Sequence, residues 1–137
     1  MRKSQLIVSI LFLSFLLTSC AKKMSFERSP VVPGADGKVA VKKDKNGNYT
    51  INVNTVNLPA SKNLTPAKEV YVVWLEDEAN NVKKLGQIKP TTGLLSKAYK
   101  GELNATSTSK PKRIFITAED AGESDYPGST LVLTTRE

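Results

Sequence analysis

The stretch EVYVVWLED, Glu69 to Asp77, decides the fold. Successive side chains of an extended chain point to opposite sides. Val70, Val72 and Trp74 therefore share one face, and Tyr71, Val73 and Leu75 share the other. A run that is apolar on both faces belongs to a central strand, with a second layer or a loop over its outer side. Trp74 reads as a core residue, expected to lie shielded beneath a second sheet.

Outward from this strand the period stays at two. Upstream, KVAVKK sets Val39 and Val41 on one face, and GNYTINVNTV sets Tyr49, Ile51 and Val53 opposite Thr50, Asn52 and Asn54. Between them lies Asn46-Gly47, a dipeptide that readily takes the positive φ of a tight hairpin turn, so Lys38–Lys43 and Asn48–Val56 are expected to pair antiparallel. NLPASKNLTPAK, broken by two prolines, reads as a crossing loop. Downstream, the chain turns at Asp77–Asn81 and resumes through Val82, Leu85 and Ile88. Weaker alternation runs from Ala98 to Leu103, RIFITAE is a clear strand, and STLVLTT closes the series. Pro90–Lys97 has room for a single helical turn. Seven strands separated by turn residues, without a convincing helix after the N-terminus, describe an all-β antiparallel sandwich.

YVVWLEDEANNVKKLGQIKP followed by KRIFITAEDAGESDYPGSTLVLT resembles the extracytoplasmic C-terminal domain of the anti-sigma-K factor family. The matching residues are Tyr71 and Trp74, Gly86, Thr117 and Glu119, then Gly122, Pro127 and Gly128, over about Val70 to Thr134. The resemblance implies an immunoglobulin-like sandwich. It does not extend to a sigma-binding region, a zinc-binding anti-sigma segment or a spanning helix, so anti-sigma activity is not implied.

The N-terminus has the layout of a secretory signal. Arg2 and Lys3 precede an apolar run, Leu6 to Leu17, that is too short to span a membrane, which takes ~20 residues. Leu17-Thr18-Ser19-Cys20 resembles the bacterial lipobox, which makes Cys20 the acyl acceptor. One acyl chain holds a protein only marginally, whereas two or three anchor it. The expected organisation is a lipoprotein signal peptide over 1–19, lipidated Cys20 and a flexible linker over 20–37, and the β-sandwich over 38–137. Ala21-Lys22 lacks the aspartate that retains some lipoproteins in the inner membrane, which favours the outer membrane of a bacterial envelope.

Composition closes several functional classes. The chain has no histidine and one cysteine, which removes Ser-His-Asp and Cys-His catalysis and most zinc or copper sites. An acid–base enzyme would have to run on carboxylates, lysine or tyrosine. The formal charge is +7, with modest clusters at Lys42, Lys43 and Lys45 and at Lys110, Lys112 and Arg113. These clusters read first as a solvated polar surface and second as a patch for anionic headgroups, lipopolysaccharide or acidic glycans, and without an aromatic-plus-basic pattern they do not suggest nucleic acid.

Carboxylates gather in two places. Glu76-Asp77-Glu78 sits at a strand end, where a turn would hold it in water. The loop AEDAGESDYPG brings together Glu119, Asp120, Glu123 and Asp125, an oxygen-rich group of the kind that holds Ca²⁺, although its spacing matches no calcium-loop signature. The expectation is a non-enzyme without metal or cofactor: a lipid-anchored binding or sensory module of the envelope, touching the membrane through its anchor and an envelope protein or glycan through its loops. A structural accessory subunit of an envelope assembly is the first alternative, and a carboxylate-based glycan hydrolase, needing two carboxylates ~5–10 Å apart in one cleft, the second.

Overall fold

The computed structural model describes residues 20–136; the expected signal segment, 1–19, lies outside them. Nine strands follow in order: β1 (Lys22–Ser25), β2 (Asp36–Lys43), β3 (Tyr49–Val56), β4 (Val70–Asp77), β5 (Val82–Ile88), β6 (Thr91–Thr92), β7 (Tyr99–Ser107), β8 (Pro111–Glu119) and β9 (Leu131–Thr134). They form two antiparallel sheets, one ordered β1-β2-β3-β7-β6 and the other β5-β4-β8-β9. Lettered from β2, with β5 as the extra C′ strand, the sheets read A-B-E-D and C′-C-F-G, the immunoglobulin order. The all-β sandwich expected from the alternating pattern is the fold observed.

The core between the sheets is built by the period-two pattern itself. Val39, Val41, Ile51 and Val53 from the first sheet meet Tyr71, Val73, Leu75, Ile114, Ile116 and Leu133 from the second. Leu58 and Leu64 plug the same core from the β3–β4 connection. That connection contains a short 3₁₀ turn at Ser61–Asn63.

Trp74 is fully buried, but on the other side of its sheet from the one expected. It clusters with Val72 and Phe115, with Val70 and Leu131 against them, on the face of β4 that looks away from the first sheet. Strand parity assigns Val72 and Trp74 to one face without saying which face meets the second layer. The register places Gln87 and Lys84 beside them on β5. Lys84 Nζ donates to the carbonyls of Gly122 and Ser124 at 2.8 and 2.9 Å. The β8–β9 connection thus lies over this outer face.

Two further differences concern segments read as irregular. The expected flexible linker contains β1, paired in register with β2 from Lys22↔Val41 to Ser25↔Lys38. Met24 and Phe26 are buried, and Phe26 bridges Thr135, so two apolar side chains and a backbone ladder tie this segment down. The Pro90–Lys97 stretch holds β6, paired to β7 through Thr91↔Lys100 and Thr92↔Tyr99, where the sequence left room for a helical turn. Proline and adjacent threonines favour an edge strand over a helix.

The β2–β3 and β4–β5 hairpins share one device. Asp44 Oδ1 accepts from the amides of Asn46 and Asn48, and Asp77 Oδ1 accepts from those of Ala79 and Asn81. The fourth residue of each turn is left-handed, Gly47 at φ 85° and Asn80 at φ 62°. Gly47 takes that conformation without a Cβ penalty, and asparagine is among the few other residues that tolerate it.

Candidate functional site

The reading of the acidic clusters as solvated turns needs correction. Glu76 is largely covered and forms ion pairs with Arg113 and Lys112. Asp77 is buried and holds its turn as described above. Hydrogen bonds from Asn81, first its backbone amide and then its side chain, hold the Asp77 carboxyl below the usual carboxylate range. These side chains brace a hairpin.

Glu119 is likewise buried. Trp74 Nε1 donates to Thr117 Oγ1 at 2.8 Å, the Thr117 hydroxyl donates to Glu119 Oε1, and the same oxygen accepts the Gly128 amide at 2.7 Å. A Cβ on Gly128 would stand 2.4 Å from Glu119 Oε2, so glycine permits the close approach. Asp120 pairs with Lys68 at 3.0 Å, while Glu123 and Asp125 are exposed on the loop. The four candidate calcium ligands therefore point to different tasks. Among the described residues no group of three or more metal-ligating side chains converges. Cys20, the expected acyl acceptor, is exposed just ahead of β1.

What the sequence reading missed is a cavity of about 370 Å³ at one end of the sandwich, within the range of small-molecule sites. Its wall combines the start of β4 (Val70, Tyr71), the end of β5 with the two residues after it (Gln87, Ile88, Lys89, Pro90), and Ala60, Ser61, Lys62 and Glu69 from the β3–β4 connection. The register Tyr71↔Ile88 and Val72↔Gln87 joins the two strand ends. Ser61 fixes the connection against them: its hydroxyl donates to the Glu69 carbonyl at 2.7 Å, and its carbonyl accepts the Lys68 amide at 3.1 Å.

The lining is amphipathic. Val70, Tyr71, Ile88 and Pro90 offer apolar surface, and Gln87, Glu69, Lys62 and Lys89 bring polar and charged groups. Lys62 pairs with Glu69 at 3.4 Å with both side chains well exposed, so each is free to turn toward a ligand at little cost. Tyr71 is different: it is 1 % exposed, and its hydroxyl, enclosed by protein, makes no hydrogen bond among the described residues. Burial pushes the phenol up to about 12, which keeps it a neutral donor at physiological pH. The arrangement suits a partly apolar molecule with a polar or charged end.

The protein is thus a β-sandwich with an amphipathic cavity at the end where β4 begins and β5 stops. The flavokinase family, described as riboflavin kinase, matches residues 34–117. That span is more than half of the chain and contains every residue of the cavity wall; the chain belongs to this family. No curated protein and no solved structure matches it.

Membership of a kinase family corrects several expectations. The family is riboflavin kinase and not the anti-sigma-K extracytoplasmic domain. It overturns the reading as a non-enzyme and as a lipid-anchored binding or sensory module, and with it the accompanying assignment to a lipoprotein of the bacterial envelope. The resemblance rested on eight residues from Tyr71 to Gly128, among them Trp74, Thr117 and Glu119, which the structure shows to be a buried polar relay. Such residues specify a sandwich and are silent about its activity.

Proposed function

We propose that the protein is a riboflavin kinase, transferring the terminal phosphoryl group of a nucleoside triphosphate to the ribityl hydroxyl of riboflavin to give FMN. The observation that carries this reading is the family match over 34–117, a span that holds the whole wall of the end cavity. In the step, the ribityl oxygen forms a bond to the γ-phosphorus, the bond from that phosphorus to the bridging oxygen breaks, and the hydroxyl proton leaves to a base. Glu69 is the carboxylate of the wall and the group placed to take it. Lys62 and Lys89 are the cations available to the phosphates, whose charge is the main thing such an enzyme must neutralise.

Magnesium enters as part of the nucleotide substrate. It would be held by the substrate phosphates and water, which leaves Glu69, the single carboxylate of the wall, to act as the base. Val70, Ile88 and Pro90 then shelter the flavin ring, and the Ser61 bonds keep the connection that carries Lys62 and Glu69 in place.

Incubation of the purified protein with riboflavin and magnesium-ATP, with chromatographic separation of flavins, tests the reading. FMN should accumulate, and Glu69→Gln should lower kcat by roughly 10²- to 10⁴-fold, the usual contribution of a positioned base. Absence of FMN formation by the folded wild-type protein would sink the proposal.

A further inference from the structure

A buried polar group without a partner is uncommon in a native structure and costs stability, because the water it gave up is not replaced. Tyr71 is such a group, and it stands in the cavity wall. Phenylalanine would fill the same space without that cost, so packing alone gives no reason for the hydroxyl. No described side chain or backbone group serves it. The other buried side-chain donor on the same strand, the Trp74 indole, is fully served by Thr117.

We propose that Tyr71 is the residue that recognises the flavin ring, its hydroxyl donating a hydrogen bond to an acceptor atom on the isoalloxazine edge once the ring enters the cavity. This deepens, and rests on, the riboflavin kinase reading. Tyr71 suits the part in three ways. It belongs to β4, a central strand paired on both sides, so its backbone is held rigidly. Its neighbours on the wall, Val70, Ile88 and Pro90, give the ring an apolar bed. The donor is already stripped of water, so binding gains a hydrogen bond without desolvating it.

Because the hydroxyl is enclosed in the free protein, a ligand reaches it only when side chains of the cavity wall move. Lys62 and Glu69 are movable, more than half exposed and paired with each other. Tyr71 positions the substrate and takes no part in the transfer itself.

The experiment compares wild type with Tyr71→Phe by titrating quenching of flavin fluorescence, once with riboflavin and once with lumichrome, which keeps the ring and lacks the ribityl chain. Tyr71→Phe should weaken both ligands about tenfold, the size of one neutral hydrogen bond. It should raise KM for riboflavin with kcat unchanged. The ligand-free variant should melt no lower than wild type, since only an unserved hydroxyl is removed. Wild-type binding of riboflavin with unaltered affinity in Tyr71→Phe would overturn this proposal and leave the kinase reading standing. So would a loss for riboflavin but not for lumichrome, which would place the contact on the chain. Failure of the wild type to bind riboflavin at all would overturn both. A lower melting temperature of ligand-free Tyr71→Phe would show the hydroxyl to be satisfied within the protein, and this proposal would fall.

Discussion

Tyr71 and Trp74 lie three residues apart on one strand, both buried and both carrying a polar tip on a large ring. The outer side of β4 serves its tip completely. Trp74 Nε1 reaches Thr117, Thr117 reaches Glu119, and Glu119 takes the Gly128 amide, so every member of the chain has a partner. The inner side leaves the Tyr71 hydroxyl unserved next to a cavity. Folding can therefore complete a buried polar network in this protein, and does so beneath the β8–β9 connection. Where it is left incomplete, the gap coincides with the site. The comparison separates a completed polar network from an incomplete one within a single strand.

The largest test of that division is Trp74→Ala. If the outer face is purely structural, the change should cost ~3–5 kcal/mol, the range for truncating a buried aromatic, which a domain with ~5–15 kcal/mol in total can barely survive. Denaturant unfolding measures the loss. Tryptophan emission of the intact protein should be blue-shifted and resistant to aqueous quenchers. A variant that keeps its stability would show the outer cluster to be dispensable and erase the contrast.

The next test breaks the relay without emptying the core. Thr117→Val keeps the volume and removes the hydroxyl, leaving the Trp74 indole N–H without its acceptor. The expected cost is about 1–3 kcal/mol for a buried group left unpaired, read as a lower denaturant midpoint with an unchanged slope. Riboflavin affinity should not move, because Thr117 itself does not line the cavity. Tyr71→Phe predicts the reverse pattern, with stability kept and affinity lost.

Legibility in the sequence followed the same line. The alternation in EVYVVWLED shows a central strand, because both faces of β4 are buried. The strands of the two hairpins were legible from period two and turn residues. β1 was not, because its four residues, Lys22 to Ser25, include one buried apolar side chain; what makes it a strand is the ladder offered by β2.

The end cavity was invisible for a different reason. Its wall joins Ser61 and Lys62 to Tyr71 and Ile88, positions brought together only by the return of the β3–β4 connection onto the strand ends. No local period records such a contact. The buried Glu119 was misread as loop because composition from Ala118 to Gly128 is that of a solvated turn. The two hydrogen bonds that draw it inward come from Thr117 and from Gly128, nine residues on.

The smallest effect sharpens the comparison at the strand's other end. Asp77 closes β4, and its carboxyl is held below its ordinary value of 3.8 chiefly by the Asn81 amide and side chain. Asp44 does the same for the β2–β3 turn, chiefly through the Asn48 amide. A depressed folded-state value means the ionised form is the one the fold stabilises. The contribution is present in full above the unfolded value and disappears as pH falls through the lower, folded one. Stability should thus be flat from neutrality to about pH 5 and drop below about pH 4, in the interval those two values bracket. Asp77→Asn should shallow that acid limb, because an amide oxygen accepts the turn amides without titrating, and Asp44→Asn should add to it since the hairpins are separate. Riboflavin affinity of the folded protein should show no matching step, because neither aspartate lines the cavity. An acid limb as steep in the double variant as in wild type would place the acid sensitivity outside the two hairpin turns.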